Sequence, residues 1–318
     1  MKDKNLDPKK TIEEQKVELS LRPKKLGEFI GQSRLKNQLL VFVRAARERN
    51  EPLDHILFYG PPGLGKTTLA LLLSAEMGSN IRITSGPALT RAGDLAAILT
   101  SMKKGDFLFI DEIHRLNKTV EETLYNVMED YALDIVLGKG PSARTVRLNL
   151  QKFTIVGATT RIGLISGPMR DRFGMVHQID FYDDQELASI IERTAKVLKV
   201  EIETEAAVEI AKRSRGTPRI ANRLLRRVRD YAQINGDGKI TLDEAKISLN
   251  NLGVDENGLS DADRKYLEVV KNQYGGGPVG VENIAAALTE DVGTITDVYE
   301  PYLMKKGLVK RTPRGRMV

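Results

Sequence analysis

Gly60-Pro-Pro-Gly-Leu-Gly-Lys-Thr67 directly follows the apolar run His55-Ile-Leu-Phe-Tyr59 and opens the helical pattern Thr67 to Met77. Strand, glycine-rich turn and helix in that order form a phosphate cradle. The glycines let backbone N–H groups converge on an anion, and the helix N-terminus adds its dipole. In this G-x-x-x-x-G-K-[ST] spacing, Lys66 reaches the β- and γ-phosphates of a nucleotide and Thr67 ligates magnesium.

A phosphate loop of this kind needs a carboxylate at the end of a neighbouring strand. Phe107-Leu-Phe-Ile-Asp-Glu112 supplies four apolar strand residues and then two acids. Asp111 is the candidate support for Mg²⁺, and Glu112 is the candidate group that polarises the attacking water. His114, two residues on, reads as a structural or surface residue. Further short apolar runs at Ile81–Thr84, Phe153–Gly157 and His177–Phe181 alternate with helical patterns at Arg91–Ser101 and Lys118–Asp130. This alternation predicts an α/β domain with a mostly parallel, buried sheet. Leu133–Leu137 and Thr145–Leu150 flank Gly138-Lys-Gly-Pro141 and predict an inserted β-hairpin over about 133–150. Its apolar residues Ile135, Leu137, Val146 and Leu148 mark a partner-binding surface if the hairpin projects.

From Asp183 to about Leu252 the pattern is entirely helical, and Gly253–Gly258 reads as a linker. Helices are then expected at Asp261–Asn272, Val281–Leu288 and about Val292–Lys306. Leu308–Arg311 and Gly315–Val318 follow as two short strands. Three helices and a terminal hairpin predict a winged helix whose last strand is cut short by the chain end.

The chain has 318 residues, 41% hydrophobic and 29% charged, with no Cys and no Trp. That length holds two or three domains. Without cysteine there is no disulfide framework, thiolate metal site or cysteine nucleophile, which fits a reducing cytoplasm. No apolar run is long enough to span a membrane, and the polar N-terminus has no signal-peptide core. The net charge of +6 is localised: six basic residues and no acid follow Glu300. A second run, Lys212–Arg229, holds eight basic residues and no acid. Both runs suggest phosphate-bearing partners, and helix spacing puts Arg219, Arg223, Arg226 and Arg227 near one side, facing a neighbouring subunit or DNA.

The phosphate loop, Asp111-Glu112 and the trailing helical segment resemble the AAA+ ATPases. More narrowly, Leu21-Arg-Pro-Lys, Phe29-Ile-Gly-Gln32, Asp111-Glu-Ile-His-Arg-Leu116, Gly157-Ala-Thr-Thr-Arg161, Arg170-Asp-Arg-Phe-Gly174, Arg215-Gly-Thr-Pro-Arg-Ile-Ala221, Gly276-Gly-Pro-Val-Gly280 and Arg311-Thr-Pro-Arg-Gly-Arg316 resemble the bacterial RuvB family. The resemblance runs from about residue 20 to the end. It implies an N-terminal segment 1–20, an AAA+ P-loop domain with a parallel sheet over 21–182, an all-α lid over 183–255 and a C-terminal winged-helix domain over 256–318. It also implies a homo-hexameric ring on duplex DNA that uses ATP and Mg²⁺ to drive branch migration of Holliday junctions. The partners implied are a RuvA-type junction-binding protein, docked on the hairpin, and a junction resolvase.

By the same resemblance, Arg172 is the arginine finger acting on a neighbour's ATP, with Arg170 the alternative. Thr160 is the sensor near the attacking water, and Arg219 reports the γ-phosphate to the lid. Gly63, Gly65, Lys66, Thr67 and Thr68 hold the phosphates. Leu21, Arg22, Tyr182 and Glu129-Asp130-Tyr131 line the adenine and ribose pocket, and Arg311 and Arg316 contact DNA phosphates. The chain departs from the family at Gly167-Pro168-Met169 and in stopping at Val318, where DNA affinity is expected to suffer. Two other readings stay open. A clamp-loader or initiator ATPase lacks the hairpin and the Arg311–Arg316 wing. A winged-helix regulator predicts sequence-specific footprints without sustained turnover, although Thr294, Thr296, Asp297 and Glu300 offer a groove little positive charge.

Overall fold

The computed structural model describes residues 20–137 and 144–318. Five strands, β1 (Ile56–Tyr59), β2 (Ile81–Ser85), β3 (Phe107–Asp111), β6 (Thr154–Thr159) and β7 (Met175–Gln178), form a parallel sheet in the order β2-β3-β6-β1-β7. The three central strands are predominantly apolar and buried along almost their whole length because both faces are covered. Ile56, Phe58, Phe107, Phe109 and Val156 enter one core, and Leu57, Leu108, Ile110 and Ile155 enter the other. Helices Lys66–Glu76, Ala92–Leu99 and Lys118–Asp130 fill the gaps as the sequence pattern predicts.

Strand β7 begins two residues before the predicted run. Pairing starts where Met175 donates to His55, and it ends where the Ile179 N–H reaches the Tyr59 carbonyl. The apolar Ile179, Phe181 and Tyr182 therefore lie beyond the strand, at the junction with the lid. The lid helices Asp184–Leu198, Thr204–Lys212, Pro218–Asn235 and Leu242–Asn251 have well-formed starts, including capping boxes at Asp183/Glu186 and Thr241/Glu244. Their apolar faces, including Leu187, Ile191, Leu225 and Val228, join the same core as Ile56 and Phe58. The lid is thus packed onto one face of the ATPase core.

The inserted hairpin pairs β4 (Ala132–Leu137) with β5 (Arg144–Asn149). Every residue of β5 is exposed, so the hairpin projects instead of covering the sheet. The expected turn at Gly138-Lys-Gly-Pro141 lies outside the described residues. The C-terminal unit has its own core of Tyr266, Val270, Ile284, Ile295, Leu303 and Val309. Its helices are Asp261–Glu268, Val281–Leu288 and a composite third helix, which runs Val292–Thr294, a π-helical stretch Ile295–Tyr299 and Glu300–Lys305. Strands β8 (Lys310–Thr312) and β9 (Gly315–Met317) complete the wing. The last wing strand was expected to lack support, yet Val279 and Arg316 exchange both backbone hydrogen bonds, so β9 is held on either side.

Candidate active site

The phosphate loop sits at the carboxyl end of β1. Its geometry demands glycine: Gly60 has φ 141°, and a Cβ there would meet the Ile179 carbonyl oxygen at 2.4 Å. Gly63 is required by close approach, because a Cβ would lie 2.9 Å from that of Arg219. The lid is therefore in contact with the loop, and the Arg219 N–H donates to the Gly63 carbonyl at 3.3 Å. Lys66 is buried and its Nζ donates to the carbonyls of Gly60 and Pro61 at 2.7 and 2.8 Å. Thr67 and Thr68 follow in the first turn of the helix.

Burial pushes the Lys66 ammonium down to about 8, against the opposing pull of Asp111, and the charge of Arg219 lowers it further. An incoming polyphosphate favours the charged form, so binding above that pH takes up a proton. We expect nucleotide affinity to fall as pH rises through about 8. Calorimetry at pH 8.5 in buffers of different ionisation enthalpy should show uptake of roughly 0.7 proton. Heats that do not change with buffer would remove Lys66 from that role.

Asp111 ends β3, and its Oδ1 accepts from the Glu112 N–H at 2.9 Å. Glu112 adopts a left-handed backbone, φ 47° and ψ 44°, which costs a non-glycine residue on the order of 1–2 kcal/mol. Its carboxylate is half-exposed and held by Arg115 at 2.9 Å. Strand β6 ends at Thr159, whose carbonyl accepts from Gly60, so Thr160 stands beside the start of the phosphate loop. The buried Thr159 hydroxyl bonds the His114 Nδ1 at 2.9 Å and accepts from the Arg161 N–H. His114 is thus structural, tying the strand end to the Asp111-Glu112 turn.

Tyr182 lies against the loop from the other side. It is buried, its hydroxyl donates to the Leu64 carbonyl at 3.3 Å, and a Cβ at Gly31 would meet its ring at 2.7 Å. Leu21 is buried and its carbonyl accepts from Arg193 of the first lid helix, with Arg22 half-buried beside it. Leu21, Arg22 and Tyr182 therefore border the cleft between sheet domain and lid, next to the loop. Gly65, φ 100°, packs under Phe29 at its rim.

Glu129, Asp130 and Tyr131 stand away from the phosphate loop of their own chain. The Tyr131 ring packs on His55 and Phe153, which precede β1 and β6. The segment is thus at the amino end of the parallel strands, whereas the phosphate loop is at the carboxyl end, about 13 Å away along a four-residue strand. Asp130 is held by Arg147 of the hairpin at 2.5 Å. Arg172 belongs to this amino edge too, three residues before β7. Its guanidinium bonds Glu129 at 2.9 Å and the Pro168 carbonyl at 2.8 Å, and it lies 4.8 Å over the Tyr125 ring. Its Nε is buried without a partner among the described residues. Arg170 is exposed.

On the wing, Arg311 and Arg316 converge on one carboxylate. Glu300 is fully buried, and it accepts from Arg311 Nε at 2.6 Å and from Arg316 Nε at 2.9 Å. Glu300 thereby fixes the direction of both guanidinium groups, and Arg311 also donates to the Thr296 carbonyl at 3.3 Å. Lys310 and Arg314 are exposed on the same wing. On the hairpin, Val146 and Leu148 are exposed apolar residues, and Ile135 and Leu137 occupy the facing strand opposite Val146 and Arg144.

Sequence reading gave no role to Thr159, Arg161, Arg215 or Glu300. Thr159, Arg161 and Arg215 stand inside motifs quoted above without a role, and Glu300, an acid within a basic tail, reads there as a deterrent to DNA because its burial is not visible in the sequence. Among the described residues, no group of three or more His, Cys, Asp or Glu side chains forms a metal site. The hard oxygens of Thr67 and Asp111 fit a magnesium that takes its other ligands from phosphate and water.

Comparison with known proteins matches the chain in three successive parts. The Holliday junction DNA helicase RuvB P-loop domain matches residues 21–179, the RuvB AAA lid domain 182–255, and the RuvB C-terminal winged helix domain 256–318. The Holliday junction branch migration complex subunit RuvB of Clostridium kluyveri is 56% identical over 317 residues, spanning 100% of this chain and 91% of that protein. The Thermotoga maritima RuvB Holliday junction branch migration motor superposes with a TM-score of 0.86 at 50% identity, covering 94% of this chain and 95% of that one. A substituted form of the same protein gives 0.88 at 51%. Matched in all three parts and in the same order, the chain belongs to the RuvB family.

Proposed function

We propose that this chain is an ATP-driven DNA motor that forms a hexameric ring on duplex DNA and drives branch migration of Holliday junctions in recombination and repair. One observation carries the reading: the groups a nucleotide triphosphatase needs are divided between opposite edges of one sheet. Lys66, Thr67, Asp111, Glu112, Thr160 and Arg219 gather at the carboxyl edge, and Arg172 with Glu129 stands at the amino edge. A site divided in this way is completed by a neighbouring copy, which is how a ring couples its subunits.

In this mechanism Lys66 and the loop N–H groups hold the phosphates, and Thr67 and Asp111 hold Mg²⁺, which when bound neutralises phosphate charge. Glu112 turns from Arg115 to polarise the attacking water, and Thr160 steadies that water. Arg172 of one subunit stabilises the charge on its neighbour's γ-phosphate. Glu129-Asp130-Tyr131 travel with that arginine and so face the neighbour's nucleotide. Arg219 carries the nucleotide state to the lid. A RuvA-type protein docks on the exposed hairpin through Val146 and Leu148 with Ile135 and Leu137, and the chain works in the cytoplasm alongside a junction resolvase.

Arg311 and Arg316 contact phosphates without reading bases, as a motor moving through any sequence requires. Asp297 and Glu300 are engaged by arginines of this chain, so neither acid is set to read bases from the third helix. That disfavours the regulator reading, and the projecting hairpin and the wing disfavour a clamp loader. Arg314→Ala is expected to weaken binding to all duplexes alike, with a log–log salt slope shallower by about 1 and an unchanged Tm. Arg316→Ala should do both, lowering Tm as well, because it leaves Glu300 buried with one partner fewer. Loss of affinity confined to particular sequences would favour a regulator.

The direct test is dissociation of a synthetic four-way junction against a linear duplex control, with and without a RuvA-type protein. Junction-selective dissociation that requires hydrolysis is expected. Turnover without junction processing in the partner's presence would overturn the reading.

A further inference from the structure

Each of the two segments assigned above to the nucleotide's γ-phosphate side carries an arginine that leaves the ATPase lobes and grips the winged-helix domain. Arg161, next to Thr160, donates from Nε to Asp297 Oδ1 at 2.8 Å and from its terminal nitrogen to Asp297 Oδ2 at 2.5 Å and Thr296 Oγ1 at 3.0 Å. Arg215, four residues before Arg219 and in a left-handed conformation, donates to the buried Asp263 carboxylate at 2.7 Å and to the Val298 carbonyl at 3.2 Å. Its guanidinium also stacks 4.8 Å over Tyr302. The sheet domain and the lid thus hold three consecutive residues, Thr296, Asp297 and Val298, one arginine from each lobe.

Those three residues lie within the π-helical turn of the third helix, a geometry that marks functional sites more often than plain helix. The same turn leads to the wing. Thr296 offers its carbonyl to Arg311 at 3.3 Å, and Glu300, one residue past the turn, holds Arg311 and Arg316. At the far end of the helix, Lys305 rests 4.6 Å over Phe181 and bonds the Tyr182 carbonyl, at the hinge between the sheet domain and the lid. The helix is therefore anchored at the hinge and held by both lobes.

We propose that Arg161 and Arg215 form a two-point linkage that converts the angle between the ATPase lobes into the orientation of the wing arginines. The inference rests on the ATPase and DNA assignments above and adds the route between them. When the lobes close or open around nucleotide, the two arginines shift relative to each other. The turn they share must then rotate, and Glu300 passes that rotation to Arg311 and Arg316. Arg161 and Asp297 are positioning residues here, since neither touches nucleotide or DNA in this scheme.

The test uses Asp297→Ala in the full chain. Asp297 is about one-third exposed, so its removal should leave the fold intact. Basal ATPase without DNA is expected within about twofold of wild type. Stimulation of ATPase by duplex DNA should fall by about fivefold or more, and DNA affinity should lose its dependence on which nucleotide is bound. The exchange Arg161→Asp with Asp297→Arg should recover at least half of the stimulation, a readout that a merely structural contact would not give. Stimulation in Asp297→Ala equal to wild type would overturn the linkage, as would basal and stimulated rates falling in parallel with no recovery in the exchange. If wild type itself shows no DNA-stimulated turnover, the underlying ATPase and DNA assignment fails instead.

Discussion

Glu112→Gln is expected to abolish ATP turnover, by a factor of about 100 or more, while ATP binding and the proposed ring assembly survive. The substitution keeps the size and the hydrogen-bonding reach of the side chain and removes only its ability to accept a proton from water. Its structural cost is small. The carboxylate is 44% exposed and its ion pair with Arg115 is of the surface kind worth about 0–1 kcal/mol. The left-handed backbone at 112 is set by the tight turn between β3 and Ile113, and Gln occupies it with no greater strain than Glu. Nucleotide affinity should hold because Lys66, Thr67 and the loop N–H groups are untouched. Binding and turnover measured on the same preparation check both halves. Near-normal turnover would place the water-activating group elsewhere.

The phosphate loop and the β3 carboxylates were legible because their chemistry fixes their spacing. Gly60, Gly63 and Gly65 all adopt φ values a side chain resists, so the motif reports its own backbone. The central strands were legible from unbroken apolar runs, and β7 was misplaced because Ile179 and Phe181 continue the apolar pattern past the last strand bond at the hinge. Arg311 and Arg316 face each other across the wing strands, but their shared partner was not legible, since the burial of Glu300 depends on a helix packing three-dimensionally against Tyr266. The edge of the sheet on which Glu129-Asp130-Tyr131 stand was not legible for a related reason. Sequence proximity does not reveal which end of a parallel sheet a segment reaches, and the packing of Tyr131 on His55 and Phe153 decides it. The Arg161–Asp297 contact joins residues 136 apart and left no trace in any motif.

The second large effect concerns Arg172. Its position at the amino edge, bonded to Glu129 and stacked on Tyr125, puts it about a strand's length from its own phosphate loop. Within one subunit it has no route to the γ-phosphate, so Arg172→Ala should lose turnover by a factor of about 10³ or more while ATP binding persists. The loss is repaired only by another chain. Lys66→Ala destroys the subunit's own phosphate grip and leaves its Arg172 intact, so neither variant alone hydrolyses ATP. In a mixed ring, an interface pairing the intact loop of an Arg172→Ala subunit with the intact finger of a Lys66→Ala subunit contains every required group. The deciding measurement is ATPase activity across mixing ratios of the two variants. A divided site requires activity absent from either protein alone, with a maximum near equal proportions. Activity that stays at the baseline at every ratio, in rings shown to contain both chains, would contradict a site completed by the neighbouring subunit.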